Sequence, residues 1–159
     1  MKVIFLDIDG VLNYAGCTAR CGMYMGVDDD RLRLLARLVK QTDAKIVLVS
    51  TWKHTWYKAS DKDKQDSLAN YLDDKLAQFG LTIFDKTPDC YKGGYLGRGE
   101  GIVVYVHDND VTGFAILDDL QFDYDACDLT DFWVQTDDNV GLTEDNVRRA
   151  AQLIEAGWK

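Results

Sequence analysis

Short apolar runs separated by polar stretches are the main pattern along this chain. The three most strongly apolar runs, which predict buried β-strands, lie at residues 1–6, 45–51 and 114–117. Two further runs with the composition of strands lie at residues 81–84 and 132–134. The pattern therefore predicts five strands.

Between these runs, apolar residues recur at the spacing typical of α-helices. Leucines at this spacing predict a helix over residues 28–41, and the acidic residues at its amino end suit the helix dipole. Similar patterns predict helices over residues 63–79, from residue 98 or 99 to His107, and from Thr143, a good N-cap, to a stop at Gly157. Strands that alternate with helices predict an α/β fold with a doubly wound, mainly parallel sheet.

Two of the intervening segments lack a sustained period. Residues 16–26 predict a loop or a small hairpin, which is too short to be a folded cap over a site. Residues 85–97 contain a proline and several glycines and predict an irregular loop. The space above the sheet is therefore expected to be open.

Acidic pairs follow two of the predicted strands. Asp7 and Asp9 follow the first strand, and Asp118 and Asp119 follow the run at residues 114–117. Open α/β sheets bind ligands at the carboxyl ends of their strands, so the four acids are expected to form one site. Like charges this close repel one another unless a divalent cation neutralises them, and Mg²⁺ prefers carboxylate oxygens. The alternative interpretation of the first pair is an ordinary turn.

The strand between the two acidic pairs ends in hydroxyl groups and is followed by a basic, aromatic segment. Ser50 and Thr51 offer hydroxyl and backbone N–H groups that can bind an anion. Residues 53–64 then carry four lysines and two aspartates, interspersed with aromatic rings. Such a mixture suits a phosphate backbone with unstacked bases; the alternative is a solvated loop whose rings pack on the core. The candidate strand-binding residues are Lys53, Trp56 and Lys58.

Composition is consistent with one compact domain over residues 1–159. A hydrophobic content of 47% supplies one sizeable core. No long apolar stretch and no basic-then-apolar leader occurs, which predicts a cytoplasmic protein without a membrane partner. The net charge of −9 argues against nonspecific nucleic-acid binding by the whole surface. The four cysteines lack the pairing typical of zinc sites and are expected to be reduced thiols.

Four motifs occur in order along the chain: Asp7-Ile8-Asp9-Gly10-Val11-Leu12, Ser50-Thr51, Arg98 and Asp118-Asp119. Together they resemble the haloacid dehalogenase (HAD) superfamily of phosphatases, over residues 3 to about 120. Within the superfamily, the sequence looks most like the small HAD domains of nucleic-acid repair and polynucleotide phosphatases. The resemblance implies a HAD-like Rossmannoid fold without a large cap domain, and Mg²⁺ as the cofactor.

The resemblance also implies roles for the acids. Asp7 is expected to be the nucleophile that forms an aspartyl-phosphate. Asp9 is expected to protonate the leaving oxygen and then to activate water, and its backbone carbonyl is expected to contact the metal. Asp118 completes the Mg²⁺ site, with Asp119 either beside it or behind it; the alternative for Asp119 is a hydrogen bond to a loop amide.

The hydroxyl motif and the basic motif each have more than one possible role. Ser50, aided by the Thr51 backbone, is expected to donate to a phosphoryl oxygen, or else to cap the following segment. Arg98 is the basic residue that the resemblance requires before the last acidic strand. Lys86 and Lys92 compete for that assignment, and a surface role is the alternative for Arg98.

The expected open cleft determines the substrate prediction. It admits a large or chain-end phosphate, so a nucleic-acid 3′-phosphate is the first hypothesis. A small nucleotide is the alternative, since the segment over residues 14–27 is able to close over something small. A hypothesis of another class is a catalytically inactive Mg²⁺-binding or partner-docking domain. No pattern in the chain indicates an oligomeric state.

Overall fold

The computed structural model of the chain describes residues 1–90 and 97–158. Its strands are β1 (Lys2–Leu6), β2 (Arg20–Cys21), β3 (Tyr24–Met25), β4 (Lys45–Leu48), β5 (Ile83–Lys86), β6 (Gly113–Asp118) and β7 (Trp133–Gln135). Its α-helices are α1 (Asp29–Thr42), α2 (Ser67–Ala77), α3 (Arg98–Asp108) and α4 (Glu144–Ala156). Five strands form a parallel sheet in the order β5-β4-β1-β6-β7, and β2 pairs with β3 as an antiparallel hairpin. The predicted α/β fold with a doubly wound parallel sheet is confirmed.

Both faces of the sheet are covered. Successive residues of a strand point to opposite faces, and β1 shows this clearly because it lies at the centre. Ile4 and Leu6 pack with apolar residues of α1, α2 and α4. Val3 and Phe5 pack on the other face with residues of α3, including Tyr105, whose ring meets that of Phe5 edge to face. Because helices cover both faces, a ligand can reach the central strands only at their ends.

Some elements begin or end away from their predicted bounds because of local caps. β4 stops at Leu48, and the Ser50 side chain then caps a 3₁₀ turn over Thr51–His54. α2 begins at residue 67 rather than 63, because the Asp66 carboxylate accepts a hydrogen bond from Ala69 N. β5 lies two residues later than predicted, because Leu81 N donates to Leu76 O and closes the end of the preceding helix.

Other predicted elements are confirmed closely. α1 starts after Asp28, whose side chain accepts from Arg31 N, and α4 starts after Thr143 with a full capping box. The loop or hairpin predicted at residues 16–26 is the β2–β3 hairpin. Part of the loop predicted at 85–97, including Lys92, lies outside the described residues. No helix within the described ranges has the length and apolar character needed to cross a membrane.

Candidate active site

Strand register brings the acidic motifs together. In the central strand, Leu6 pairs with Leu48 of β4 on one side and with Leu117 of β6 on the other. The pairing continues one residue further, since Asp7 N donates to Leu117 O at 2.9 Å. Asp7 and Asp118 therefore leave the same edge of the sheet, and Ser50 follows β4 beside them.

Three carboxylates meet at this edge. Asp7, Asp118 and Asp119 each offer an oxygen, and these oxygens all lie within 4.8 Å of one another. Burial raises the pKa of Asp7 well above its ordinary value, and the Asp118 charge adds to the effect. Burial also raises the pKa of Asp119 to about 6, again with a contribution from Asp118. The cluster therefore favours protons or another cation between its oxygens.

Arg98 is the basic residue that the structure brings to these acids. Its Nη1 lies 2.7 Å from Asp118 Oδ2 and 3.3 Å from Asp7 Oδ1. Burial alone lowers the pKa of the guanidinium, but the charges of the two acids outweigh burial and raise it. The Phe122 ring covers the guanidinium at 3.9 Å. Of the two competitors, Lys92 lies outside the described residues, and Lys86 donates to the Lys53 and Trp56 carbonyls instead.

Two residues that sequence analysis did not assign hold this arrangement in place. The Asp123 carboxylate accepts from the backbone N–H groups of Gly99 and Glu100, and so fixes the first turn of α3 that carries Arg98. The buried Tyr124 hydroxyl donates to Asp118 Oδ2 at 2.6 Å. Burial raises the pKa of Tyr124, so it remains a donor. Neither contact has a local sequence pattern, because both cross from one loop to another element.

The Asp9 carboxylate is directed differently from the other three. Its Oδ1 accepts from Asn13 Nδ2 at 2.9 Å and its Oδ2 from Trp52 Nε1 at 3.1 Å. The expectation that all four carboxylates form one cluster is therefore wrong for the Asp9 side chain. The metal contact expected of the Asp9 backbone carbonyl stays a prediction. The side chain is exposed and held in one orientation, as a proton-transfer group must be.

Gly10 makes the close approach of the two acidic loops possible. Its φ of +82° is unfavourable for any residue with a side chain, and a Cβ there would lie 2.5 Å from Asp119 Oδ2. Its backbone is tied on both sides, by Asn13 Oδ1 at the N–H and by the Thr136 hydroxyl at the carbonyl. The glycine after the first acidic pair is thus needed for the site as well as for the turn.

Ser50 has the capping role that was its alternative interpretation, and it keeps a donor. Its Oγ accepts from Trp52 N at 3.2 Å, and among the described residues no acceptor takes its own hydroxyl proton. Together with Thr51 and Arg98 it lines a cleft of about 380 Å³. The hydroxyl is therefore available to an oxygen bound beside the acids.

The predicted strand-binding segment is wrong for two of its three residues. Trp56 is buried and its Nε1 donates to Asp73 Oδ1, so its ring belongs to the core. Lys53 is also buried, and its ammonium is held by the Thr87 and Pro88 carbonyls and by Asp89. Lys58 is exposed and forms an ion pair with Asp85. The Trp56 ring and the Lys53 ammonium are therefore held by contacts within the fold.

Comparison with known proteins identifies the family of this chain. Residues 3–147 match the family described as the HAD domain in Swiss Army Knife RNA repair proteins. Among curated proteins, no match is found. The matched range covers most of the chain and includes Asp7, Asp9, Ser50, Arg98 and the Asp118-Asp119 pair. The chain therefore belongs to this family of HAD domains.

Proposed function

We propose that this protein is a Mg²⁺-dependent phosphomonoester hydrolase that acts through an aspartyl-phosphate on Asp7. The observation that carries the proposal is the cluster of Asp7, Asp118 and Asp119, with Arg98 against it and Asp9 two residues beyond the nucleophile. Membership of a HAD domain family supports phosphatase chemistry in general.

The residues present fit a magnesium ion. Carboxylate oxygens are hard ligands of the kind that Mg²⁺ prefers, and the cluster supplies three carboxylates. Asp118 Oδ1 accepts one hydrogen bond, from Leu120 N, and so retains a lone pair for a further partner. When bound, the ion neutralises charge on the phosphoryl oxygens and orients the phosphate. Asp7, Asp118 and Asp119 are the side chains that hold it.

In the first step, an Asp7 carboxylate oxygen attacks phosphorus and the bond from phosphorus to the substrate oxygen breaks. Asp9, in its acid form, gives its proton to the departing oxygen, so an alcohol leaves and Asp9 becomes a carboxylate. The Ser50 hydroxyl donates to a phosphoryl oxygen. Arg98 keeps Asp7 and Asp118 in place while charge builds up beside them.

In the second step, the Asp9 carboxylate takes a proton from water, and the water oxygen attacks phosphorus. The bond between phosphorus and the Asp7 oxygen breaks, which releases inorganic phosphate and restores the Asp7 carboxylate. Asp9 ends the cycle in its acid form. The hydrogen bonds from Asn13 and Trp52 hold the Asp9 carboxylate for both transfers.

A polynucleotide 3′-phosphate is the proposed substrate. The family description, which refers to RNA repair proteins, supports a nucleic-acid substrate. Between the first two motifs, the short β2–β3 hairpin is the only addition to the alternating strands and helices, and so small an insertion suits a phosphate at the end of a chain. The negative charge of the protein suits recognition of one chain end better than of a long backbone.

Asp7→Asn tests the chemistry and a substrate series tests the class. The variant keeps the size of the side chain, so it is expected to fold and to lose essentially all Mg²⁺-dependent phosphate release. Asp145→Asn, at an exposed position of α4, is the matched control and is expected to keep full activity. Turnover by Asp7→Asn contradicts the proposed nucleophile. In the substrate series, the 3′-phosphorylated oligonucleotide is expected to have a higher kcat/KM than free nucleotides and sugar phosphates.

A further inference from the structure

The cleft beside the acid cluster is wider than a phosphate alone requires. Its volume is about 380 Å³, within the size range of small-ligand sites. Ser50 and Arg98 belong to its lining and connect it to the reacting groups. The other residues of the lining have no role in the proposed reaction. They are therefore available to bind the part of the substrate that carries the phosphate.

Segments from opposite sides of β1 line this cleft, together with residues 89–90 and 97–98. Leu120 and Phe122 lie in the loop after β6, whereas Thr51 and His54 belong to the turn after β4. The sheet order places β4 and β6 on either side of β1. A group bound here therefore lies between the segments after β4 and β6 and next to Arg98, whose Nη1 is 3.3 Å from Asp7 Oδ1.

Leu120 presents an apolar side chain at the edge of an acidic loop. It is 58% exposed, although its own N–H is fixed by Asp118 Oδ1 at 3.1 Å. Phe122 is half-buried, has a φ of +47°, and lies over the Arg98 guanidinium. The backbone bond and the ring contact hold the two apolar side chains together at the cleft.

The charges that line the cleft are already compensated. Arg98 is bound to Asp7 and Asp118. The Lys53 ammonium is bound to the Thr87 and Pro88 carbonyls and to Asp89. The lining also offers a ligand apolar surface from Leu120 and Phe122, the Thr51 hydroxyl and the His54 imidazole, whose Nδ1 lies 3.9 Å from Asp89 Oδ2. This combination suits an uncharged ring with polar edges better than a second phosphate.

We infer that this cleft binds the nucleoside that carries the phosphate, with its base packed on Leu120 and Phe122. The inference rests on the proposed function, because Ser50 and Arg98 belong both to the lining of this cleft and to the groups proposed to act on the phosphate. The cleft volume of about 380 Å³ is sufficient for one nucleoside. Packing against an aliphatic side chain and a ring edge does not distinguish the four bases, and the enzyme is expected to accept all of them.

An oligonucleotide with and without its terminal base provides the test. Both oligonucleotides carry a 3′-phosphate, but one has an abasic terminal nucleotide. A stacked base is expected to raise kcat/KM about 5-fold to 100-fold over the abasic substrate in the parent protein. Leu120→Ala is expected to lower this ratio, with Phe122 left as the remaining apolar contact of the base. Leu120→Met, which keeps an apolar side chain, is expected to retain most of it.

A matched control comes from an exposed aliphatic residue away from the cleft. Val103, on α3, is 44% exposed and does not line the cleft, so Val103→Ala is expected to leave the ratio unchanged. Because Leu120 is exposed, its replacement is not expected to prevent folding, and the melting temperature checks this. A parent ratio near one, or a Leu120→Ala ratio equal to that of the parent, overturns the inference.

Acetyl phosphate separates failure of this inference from failure of the proposed function. It has no ring and depends on the reacting groups alone. If acetyl phosphate is hydrolysed but neither oligonucleotide is, the polynucleotide substrate is wrong and the inference falls with it. If none of the three is hydrolysed, the phosphatase chemistry itself is wrong. If both oligonucleotides are hydrolysed equally well, only the base-binding cleft is wrong.

Discussion

Replacing Arg98 by methionine is expected to destabilise the metal-free protein strongly. The guanidinium is nearly buried and contacts both Asp118, at 2.7 Å, and Asp7, at 3.3 Å. Methionine keeps the apolar stem against the Phe122 ring and removes only the charge and its donors. The change therefore leaves the three carboxylates of the cluster without the cation that compensates them.

The magnitude follows from the burial of the pair. Two unit charges about 4 Å apart interact by about 4 kcal/mol at an effective dielectric constant of about 20. Removing one partner of a buried ion pair costs about 3–5 kcal/mol. Burial already raises the pKa of Asp7, so this carboxyl can take up a proton when Arg98 is lost and relieve part of the cost. We expect a loss of about 3 kcal/mol at neutral pH, near the lower end of the range.

Urea unfolding in EDTA measures this loss, and Arg148→Met is its matched control. Arg148 contacts Asp145 at 2.6 Å, but both side chains are largely exposed, so its replacement is expected to cost less than about 1 kcal/mol. Mg²⁺ is expected to stabilise Arg98→Met more than the parent, because the ion supplies the missing positive charge. In the double variant Arg98→Met with Asp118→Asn, the loss is expected to be smaller than the sum of the single losses.

One result refutes this reasoning. If Arg98→Met in EDTA unfolds at the same urea concentration as Arg148→Met, the guanidinium does not compensate the acids. Additive losses in the double variant lead to the same conclusion for the contact with Asp118. Arg98→Lys refines the picture, since a point charge without the planar fork is expected to recover only part of the stability.

Three other predictions concern individual parts of the site. Asp9→Asn is expected to slow hydrolysis of an alkyl phosphate about 10²–10⁴-fold and of an aryl phosphate much less, since an aryl leaving group needs no proton; equal losses exclude the acid role. Gly10→Ala is expected to cost about 1–3 kcal/mol more than Gly80→Ala, because both positions have positive φ but only the Cβ at position 10 clashes with Asp119; equal urea midpoints contradict this. The raised pKa values of Asp7 and Asp119 mean that the folded metal-free protein holds protons which the unfolded chain has lost, so its stability falls as the pH rises from about 4 through about 6. Mg²⁺ binds the deprotonated acids, so the difference in melting temperature between Mg²⁺ and EDTA is expected to widen from about pH 5 to pH 7.5. Asp118→Asn is expected to abolish this difference. A difference that does not change with pH argues against the metal site.

The sequence by itself determined that the sheet has five strands, where α1 and α4 begin, and which acids follow two of the strands. α1 begins after Asp28 and α4 after Thr143 because a capping side chain binds a backbone N–H only three residues away. Asp7 and Asp118 lie at strand ends in the sequence, and parallel strands bring such ends to one edge. These features depend on short-range contacts or on a general rule of sheet architecture, so they can be predicted from the sequence.

Only the tertiary structure decided which side chains of a segment face the site. Trp56 and Lys53 follow the hydroxyl motif as predicted, but Asp73 of α2 and the Thr87 carbonyl after β5 take up their polar atoms and bury them. Tyr124 contacts Asp118 from a loop that has no regular period. The contacts of Trp56 and Lys53 join elements that are distant in the chain, whereas that of Tyr124 depends on how the loop after β6 folds back on its strand. Burial of a polar side chain is tolerated only where such a partner satisfies it, and the identity of that partner is set by the packing of the whole sheet.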